Sequence, residues 1–177
     1  GLHAFLRAYY HVKSADWAVN QPHALTAWQA AELAKLPHYY VMPADQTMAQ
    51  AVAVHAPSAA QVSACTWLSE TDLAVYVAAY QARGFQGGLQ WYRCATSLKQ
   101  FEVMSRYGGQ TIDVPAAYIA GQADWGVYQL PGALEKMKAQ VCKDMRFIEL
   151  LPQAGHWVQQ EQPEAVNKLL LNFLGSL

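Results

Sequence analysis

An aspartate and a histidine, Asp124 and His156, stand 32 residues apart, each just beyond a short apolar run. The first run is Val114-Pro115-Ala116-Ala117-Tyr118-Ile119-Ala120-Gly121, with Asp124 three residues further on. The second is Met145-Arg146-Phe147-Ile148-Glu149-Leu150-Leu151, ended by Pro152, with His156 following inside Gly155-His156-Trp157. A carboxylate beside an imidazole fixes the ring tautomer and stabilises the imidazolium formed when the histidine takes a proton. That is general-base chemistry, suited to activating a water or a nucleophile. The same residues admit a plainer account, in which Asp124 caps the helix after it and His156 is a turn histidine. Spacing alone leaves both open.

The pairing needs elements that bring distant loops together. Between the two apolar runs, residues from about 130 to 141 are helical in pattern, so the order is strand, helix, strand over about 35 residues. Such a βαβ unit places its strands as parallel neighbours. Ligands of open parallel sheets bind beyond the carboxyl ends of the strands, where both loops emerge. An amphipathic helix from about Glu161 to Leu174 closes the chain. Parallel sheets are buried on both faces and two strands do not make a stable sheet. The second part, 108–177, therefore reads as the tail end of a larger α/β core, and the fold class expected is α/β.

Residues 1–107 are mostly helix-forming stretches punctuated by prolines. A helix is expected over Leu25–Leu36, with Trp28, Leu33 and Leu36 on one face and Pro37 as its stop, and another from Asp45 to about Val54. Ser58-Ala59-Ala60-Gln61 has the form of a capping box, and Ser69-Glu70-Thr71-Asp72 offers a second N-cap with acids in the first turn. The latter leads through Leu73, Tyr76, Val77 and Tyr80 to Gly84. A further helix is expected from Tyr92 to about Tyr107, before Gly108-Gly109 breaks it.

Composition narrows the partners. The chain has 177 residues, 53% of them hydrophobic and 14% charged, which is too apolar for a disordered segment. With 12 Lys and Arg against 13 Asp and Glu and no run of like charge, neither nucleic acid nor an anionic membrane surface is an expected partner. No apolar run reaches the ~18 residues of a membrane span and the first residues lack a signal-peptide layout, so a cytoplasmic location is expected. Cys65, Cys94 and Cys142 are an odd number without a C-x-x-C pair, and small buried thiols in a reducing compartment are expected rather than a disulfide framework or zinc site.

Three segments carry a family resemblance. Val114 to Trp125 resembles the acid-bearing strand and loop of α/β-hydrolases. Gly155-His156-Trp157-Val158-Gln159-Gln160-Glu161-Gln162-Pro163-Glu164-Ala165-Val166-Asn167 is similar to the catalytic-histidine loop and last helix of soluble epoxide hydrolases, in the form Gly-His-Trp-x-Gln-x-x-x-Pro-x-x-Val-Asn. Gly84-Phe85-Gln86-Gly87-Gly88-Leu89-Gln90-Trp91-Tyr92-Arg93 is similar to the Gly-Phe-x-Gly-x-Leu-Asn-Trp-Tyr-Arg stretch of that family's lid. The resemblance implies the C-terminal part of an α/β-hydrolase fold: a helical lid over 1–107 and the last two core strands within 108–177. It also implies that Tyr92 binds the epoxide oxygen, with Asp124 and His156 as acid and base. The family's second lid tyrosine sits in a Tyr-Tyr-x-x-Arg-Phe-Gln-x-Pro-Gly context, to which Tyr9-Tyr10-His11-Val12-Lys13 is a loose fit, and Tyr10 is the residue this implies.

One part of the family pattern is missing. Its nucleophile is an aspartate on a glycine-flanked strand-to-helix elbow upstream of the lid, and no G-x-S-x-G or G-x-D-x-G occurs in these residues. The true start is expected upstream of Gly1, with the elbow supplied by a further segment or a partner chain. The activity implied is hydrolysis of an epoxide to a vicinal diol. An upstream carboxylate opens the ring to an ester while tyrosines donate to the departing oxygen, and His156, oriented by Asp124, deprotonates the water that cleaves the ester. No metal or organic cofactor is required. The alternatives are a haloalkane dehalogenase or other α/β-hydrolase fragment, and a non-catalytic stand-alone module or remnant. Association, as a homodimer, is expected through the unpaired strand edge near residues 115–121.

Overall fold

The computed structural model describes residues 1–177. Seven helices come first: α1 (Leu2–Val12), α2 (Ala30–Leu33), α3 (Met48–Ala53), α4 (Ala59–Ala64), α5 (Glu70–Arg83), α6 (Gln86–Thr96) and α7 (Leu98–Ser105). Strands β1 (Ile112–Gly121) and β2 (Cys142–Leu151) then pair in parallel, from Ile112 opposite Cys142 to Gly121 opposite Leu151, with the register shifting between Ile112 and Pro115 and again between Ala116 and Ala117 before it runs unbroken to the strand ends. Their crossover contains the short helix α8 (Ala133–Lys136), which widens into a π turn over Met137–Val141 and runs directly into β2. Helices α9 (Val158–Glu161) and α10 (Pro163–Leu174) close the chain, and Pro163 takes the first helical turn, where its missing N–H costs nothing.

Helix α1 is the pivot of the packing. Leu6 and Tyr10, one turn apart, face a cluster with Leu68 and Leu73, while Ala8 and Val12 face another with Leu25, Leu36, Tyr39, Val52 and Trp125. Trp125 belongs to the turn after β1, so this second cluster joins the first part of the chain to the sheet.

Three elements differ from the sequence expectation. The run Leu25–Leu36 is mostly loop, with only Ala30–Leu33 helical. The carboxylate of Glu32 accepts the N–H of Thr26 and also pairs with Lys35, a local bond that competes with the helix ladder, and Trp28 is left exposed. The expected helix from Tyr92 to Tyr107 begins earlier, at Gln86, and breaks at Ser97, whose extended backbone separates α6 from α7. No residue of α6 or α7 is buried. The thiols also differ: Cys142 is buried, Cys65 half-buried and Cys94 exposed.

The capping boxes form as the residue types dictate. The Ser58 and Ser69 side chains each accept the backbone N–H three residues on, and Thr47 with Gln50 makes a third box that starts α3. Helix α5 buries Leu73 completely and ends at Gly84, whose φ of 64° suits glycine. Ser69→Ala is expected to cost about 1 kcal/mol, lowering Tm in a thermal melt by about 2–4 °C.

Candidate active site

The two strands end level at Gly121 and Leu151, and the loops beyond them lie against each other: Gln122 N–H donates to the Leu151 carbonyl and Ala123 N–H to that of Ala154, both at 2.9 Å. The contact is closest at Gly121, where a Cβ would run into the carbonyls of Ala154 and Gly155. Through this junction the structure brings Asp124 and His156 together, with His156 Nδ1 3.2 Å from each carboxylate oxygen. Asp124 Oδ1 also accepts the N–H of Gly126 at 2.8 Å. The carboxylate therefore caps its turn and pairs with the histidine at once.

Burial pushes the Asp124 carboxyl up, but the hydrogen bond and charge of His156, the Gly126 N–H and the charge of Lys13 outweigh it and hold the group below its ordinary value. It is thus an anion at neutral pH, as an orienting partner for imidazole must be. The side chains of Asp124 and His156 are 15% and 37% exposed, so the imidazole is the member that solvent reaches.

The chain just past α1 ties both loops in place. His156 N–H donates to the Lys13 carbonyl at 2.8 Å, and Asn20 Nδ2 donates to the carbonyls of Ala123 and Ser14. The Glu161 carboxylate accepts three backbone N–H groups, from Ala15, Gly155 and Trp157, at 2.8 to 3.1 Å. Burial still outweighs these bonds and raises the Glu161 carboxyl. Gly155 lies flat on this seam, where a Cβ would sit 2.5 Å from the Lys13 carbonyl oxygen and 2.8 Å from Ser14 backbone atoms. The glycine before the histidine is thus required by backbone-to-backbone contact.

Several phenols, those of Tyr39, Tyr40 and Tyr118, lie near enough to Asp124 for its charge to act on them. Burial raises Tyr40, and next to it act the charges of Asp124, Tyr9, Tyr92 and Tyr118. Tyr9 is raised by burial and then by Tyr92 and Tyr80. Tyr92 is 65% exposed on α6, yet close enough to Tyr9 and Tyr40 for its charge to act on both. The ammonium of Lys13 lies between 5.2 and 5.7 Å from the ring centres of Tyr9, Tyr39, Tyr40 and Trp157, and 3.5 Å from the Tyr9 hydroxyl.

Tyr10, the residue implied by the tandem, is not brought to the Asp124–His156 pair. Successive helical residues point about 100° apart, and Tyr10 turns to the other face of α1. There its ring stacks on Trp157 with centroids 4.3 Å apart and lies 5.2 Å from Tyr76. Burial raises its phenol, followed by the charges of Tyr76 and Tyr80. Tyr9 is the member of the tandem on the Lys13 side. Sequence reasoning missed Tyr9, Lys13, Tyr40 and Glu161; the i, i+4 spacing of Tyr9 and Lys13 was the available signal. No three His, Cys, Asp or Glu side chains gather as a metal site, and no helix is long and apolar enough to cross a membrane.

No protein-family model matches the chain. Among curated proteins it is 34% identical over 111 residues to epoxide hydrolase B of Mycobacterium tuberculosis, covering 63% of this chain and 30% of that protein. It is 37% identical over 111 residues to epoxide hydrolase A of the same organism, covering 63% and 33%. The chain thus spans about a third of the length of these relatives. Among solved structures, an epoxide hydrolase from an endophytic Streptomyces superposes with a TM-score of 0.73 at 23% identity, covering 99% of this chain and 46% of that one. Epoxide hydrolase I of potato superposes with a TM-score of 0.61 at 27% identity, covering 78% and 42%.

Proposed function

We propose that this chain, which is similar to epoxide hydrolases and corresponds to the C-terminal portion of their α/β-hydrolase fold, supplies the base and the oxygen-binding donors for hydrolysis of a small-molecule epoxide to a vicinal diol. The observation that carries this reading is Asp124 held 3.2 Å from His156 at the carboxyl ends of two parallel strands.

The roles follow from the chemistry of each group. A carboxylate on an elbow segment, absent from these residues, attacks a ring carbon; the C–O bond breaks and an ester forms. The developing alkoxide takes hydrogen bonds from Tyr92 and Tyr9, and then a proton from one of them. His156, its Nδ1 turned to Asp124, accepts a proton at Nε2 from water as the hydroxide adds to the ester carbonyl; the departing diol oxygen takes that proton from His156, and the proton of the regenerated elbow carboxyl returns through water to the phenolate. Residues 1–107 act as the lid and 108–177 as the end of the core. Ile112 and Val114 of β1 are exposed apolar residues, and the elbow-bearing part of the core is the partner that would cover them.

The test is turnover with and without that segment. Residues 1–177 alone are expected to form no diol from a styrene oxide probe, and the same residues joined to or mixed with an elbow-bearing segment are expected to form it, measured by chromatography. Diol formation by residues 1–177 alone overturns the assignment of the nucleophile.

A further inference from the structure

Lys13 sits at the end of α1 and is 7% exposed, yet no carboxylate pairs with its ammonium. Four aromatic rings surround it, from α1 (Tyr9), the loop after α2 (Tyr39, Tyr40) and the histidine loop (Trp157). The faces of such rings attract a cation, so the cage holds the charge without neutralising it. The one polar side chain it touches is the Tyr9 hydroxyl, at 3.5 Å. An ammonium has only donors. The Tyr9 oxygen must therefore accept from Lys13, which leaves the phenolic hydrogen to be donated elsewhere.

We propose that Lys13 is a positioning residue that acts through Tyr9: by donating to the phenolic oxygen it aims the Tyr9 hydrogen at the oxygen of the opening epoxide and strengthens it as a donor. This rests on the epoxide reading above and deepens it, since the tandem of tyrosines alone supplies no such control. The ring-opening step then depends on the charge of Lys13, and the ester-cleaving step, which belongs to Asp124 and His156, does not.

The groups facing Lys13 give the pH range. Burial lowers its ammonium to about 8, opposed by the charge of Asp124, while Tyr9, Tyr39 and Tyr40 face it as neutral phenols and His156 meets it through its backbone N–H. Below that pH the ammonium is present and the Tyr9 hydrogen is aimed. Above it the neutral amine accepts as well as donates, and the orientation is lost.

Two measurements test this. In the protein joined to its elbow segment, single-turnover ring opening is expected to slow on the order of tenfold to a hundredfold in Lys13→Met and to lose its decline above pH 8. Ester cleavage keeps its rate. Lys13→Arg, charged at all these pH values, restores opening and removes the decline, and Lys13→Met adds nothing in a Tyr9→Phe background. Without substrate, the Tyr9 ring carbon bearing oxygen, followed by NMR, is expected to shift near pH 8 in the wild type and not in Lys13→Met. Equal opening rates in wild type and Lys13→Met, or no such shift in the wild type, overturn the role of Lys13 alone. Absence of any ester in the wild type overturns the epoxide reading and this role with it.

Discussion

Exchanging His156 for alanine is expected to leave ring opening intact and stop the reaction at the ester. The imidazole takes no part in the first displacement, whose attacking group is an ionised carboxylate. In the second, water at neutral pH is a poor nucleophile until a base removes its proton. The elbow-joined His156→Ala protein, mixed with an epoxide and quenched, should show in intact-mass spectra a population heavier by the whole substrate. Asp124→Asn should act in the same direction, since an amide no longer selects the tautomer with its proton on Nδ1. The loss on removing an orienting carboxylate is about 10⁴-fold in kcat. An unchanged steady-state rate in either variant would remove the pair from the mechanism.

Gly155→Ala is expected to be strongly damaging for so small a change. Its new methyl group would meet the Lys13 carbonyl and the backbone of Ser14, neither of which moves without drawing α1 from both of its clusters. The expected loss is about 3 kcal/mol or more, lowering Tm by about 6 to 12 °C in calorimetry. Gly88→Ala is the control: it lies within α6 with no atom within 4 Å of the added carbon, and is expected to stabilise by about 0.5–1 kcal/mol. A melting temperature for Gly155→Ala equal to that of the wild type would show that the seam yields.

The nearness of Asp124 and His156 was legible because a parallel βαβ unit leaves little freedom: one crossover puts both loops at one edge, while spacing alone did not choose between a pair and a turn with a cap. The sequence carried the starts of α4 and α5 for a similar reason, since a capping box is a contact between residues three apart. The phase of α1 was not legible. Tyr9 and Tyr10 are the same residue type, and the i, i+4 spacing that sets Tyr9 beside Lys13 does not say that this face turns to the histidine loop; the stacking of Tyr10 on Trp157, 147 positions away in the chain, fixes the other face. The stretch Leu25–Leu36 failed for a related reason. Its apolar residues fit a helical period, but Leu25 and Leu36 are buried from loop, and the Glu32 bond to Thr26 closes a different local shape.

The three amide hydrogens gathered by Glu161 belong to two stretches nearly the whole length of the chain apart, Ala15 on one side and Gly155 with Trp157 on the other. The proposed roof and base are thus stitched by this carboxylate as well as by the hydrophobic cluster around Trp125, and the stitch, unlike the cluster, depends on the path of the backbone. A chimera that transplants the roof of a relative onto this base must carry over a backbone at residue 15 that reaches the same stitch. Otherwise the histidine inherits the misfit, and a change intended to alter which molecules enter alters proton transfer as well.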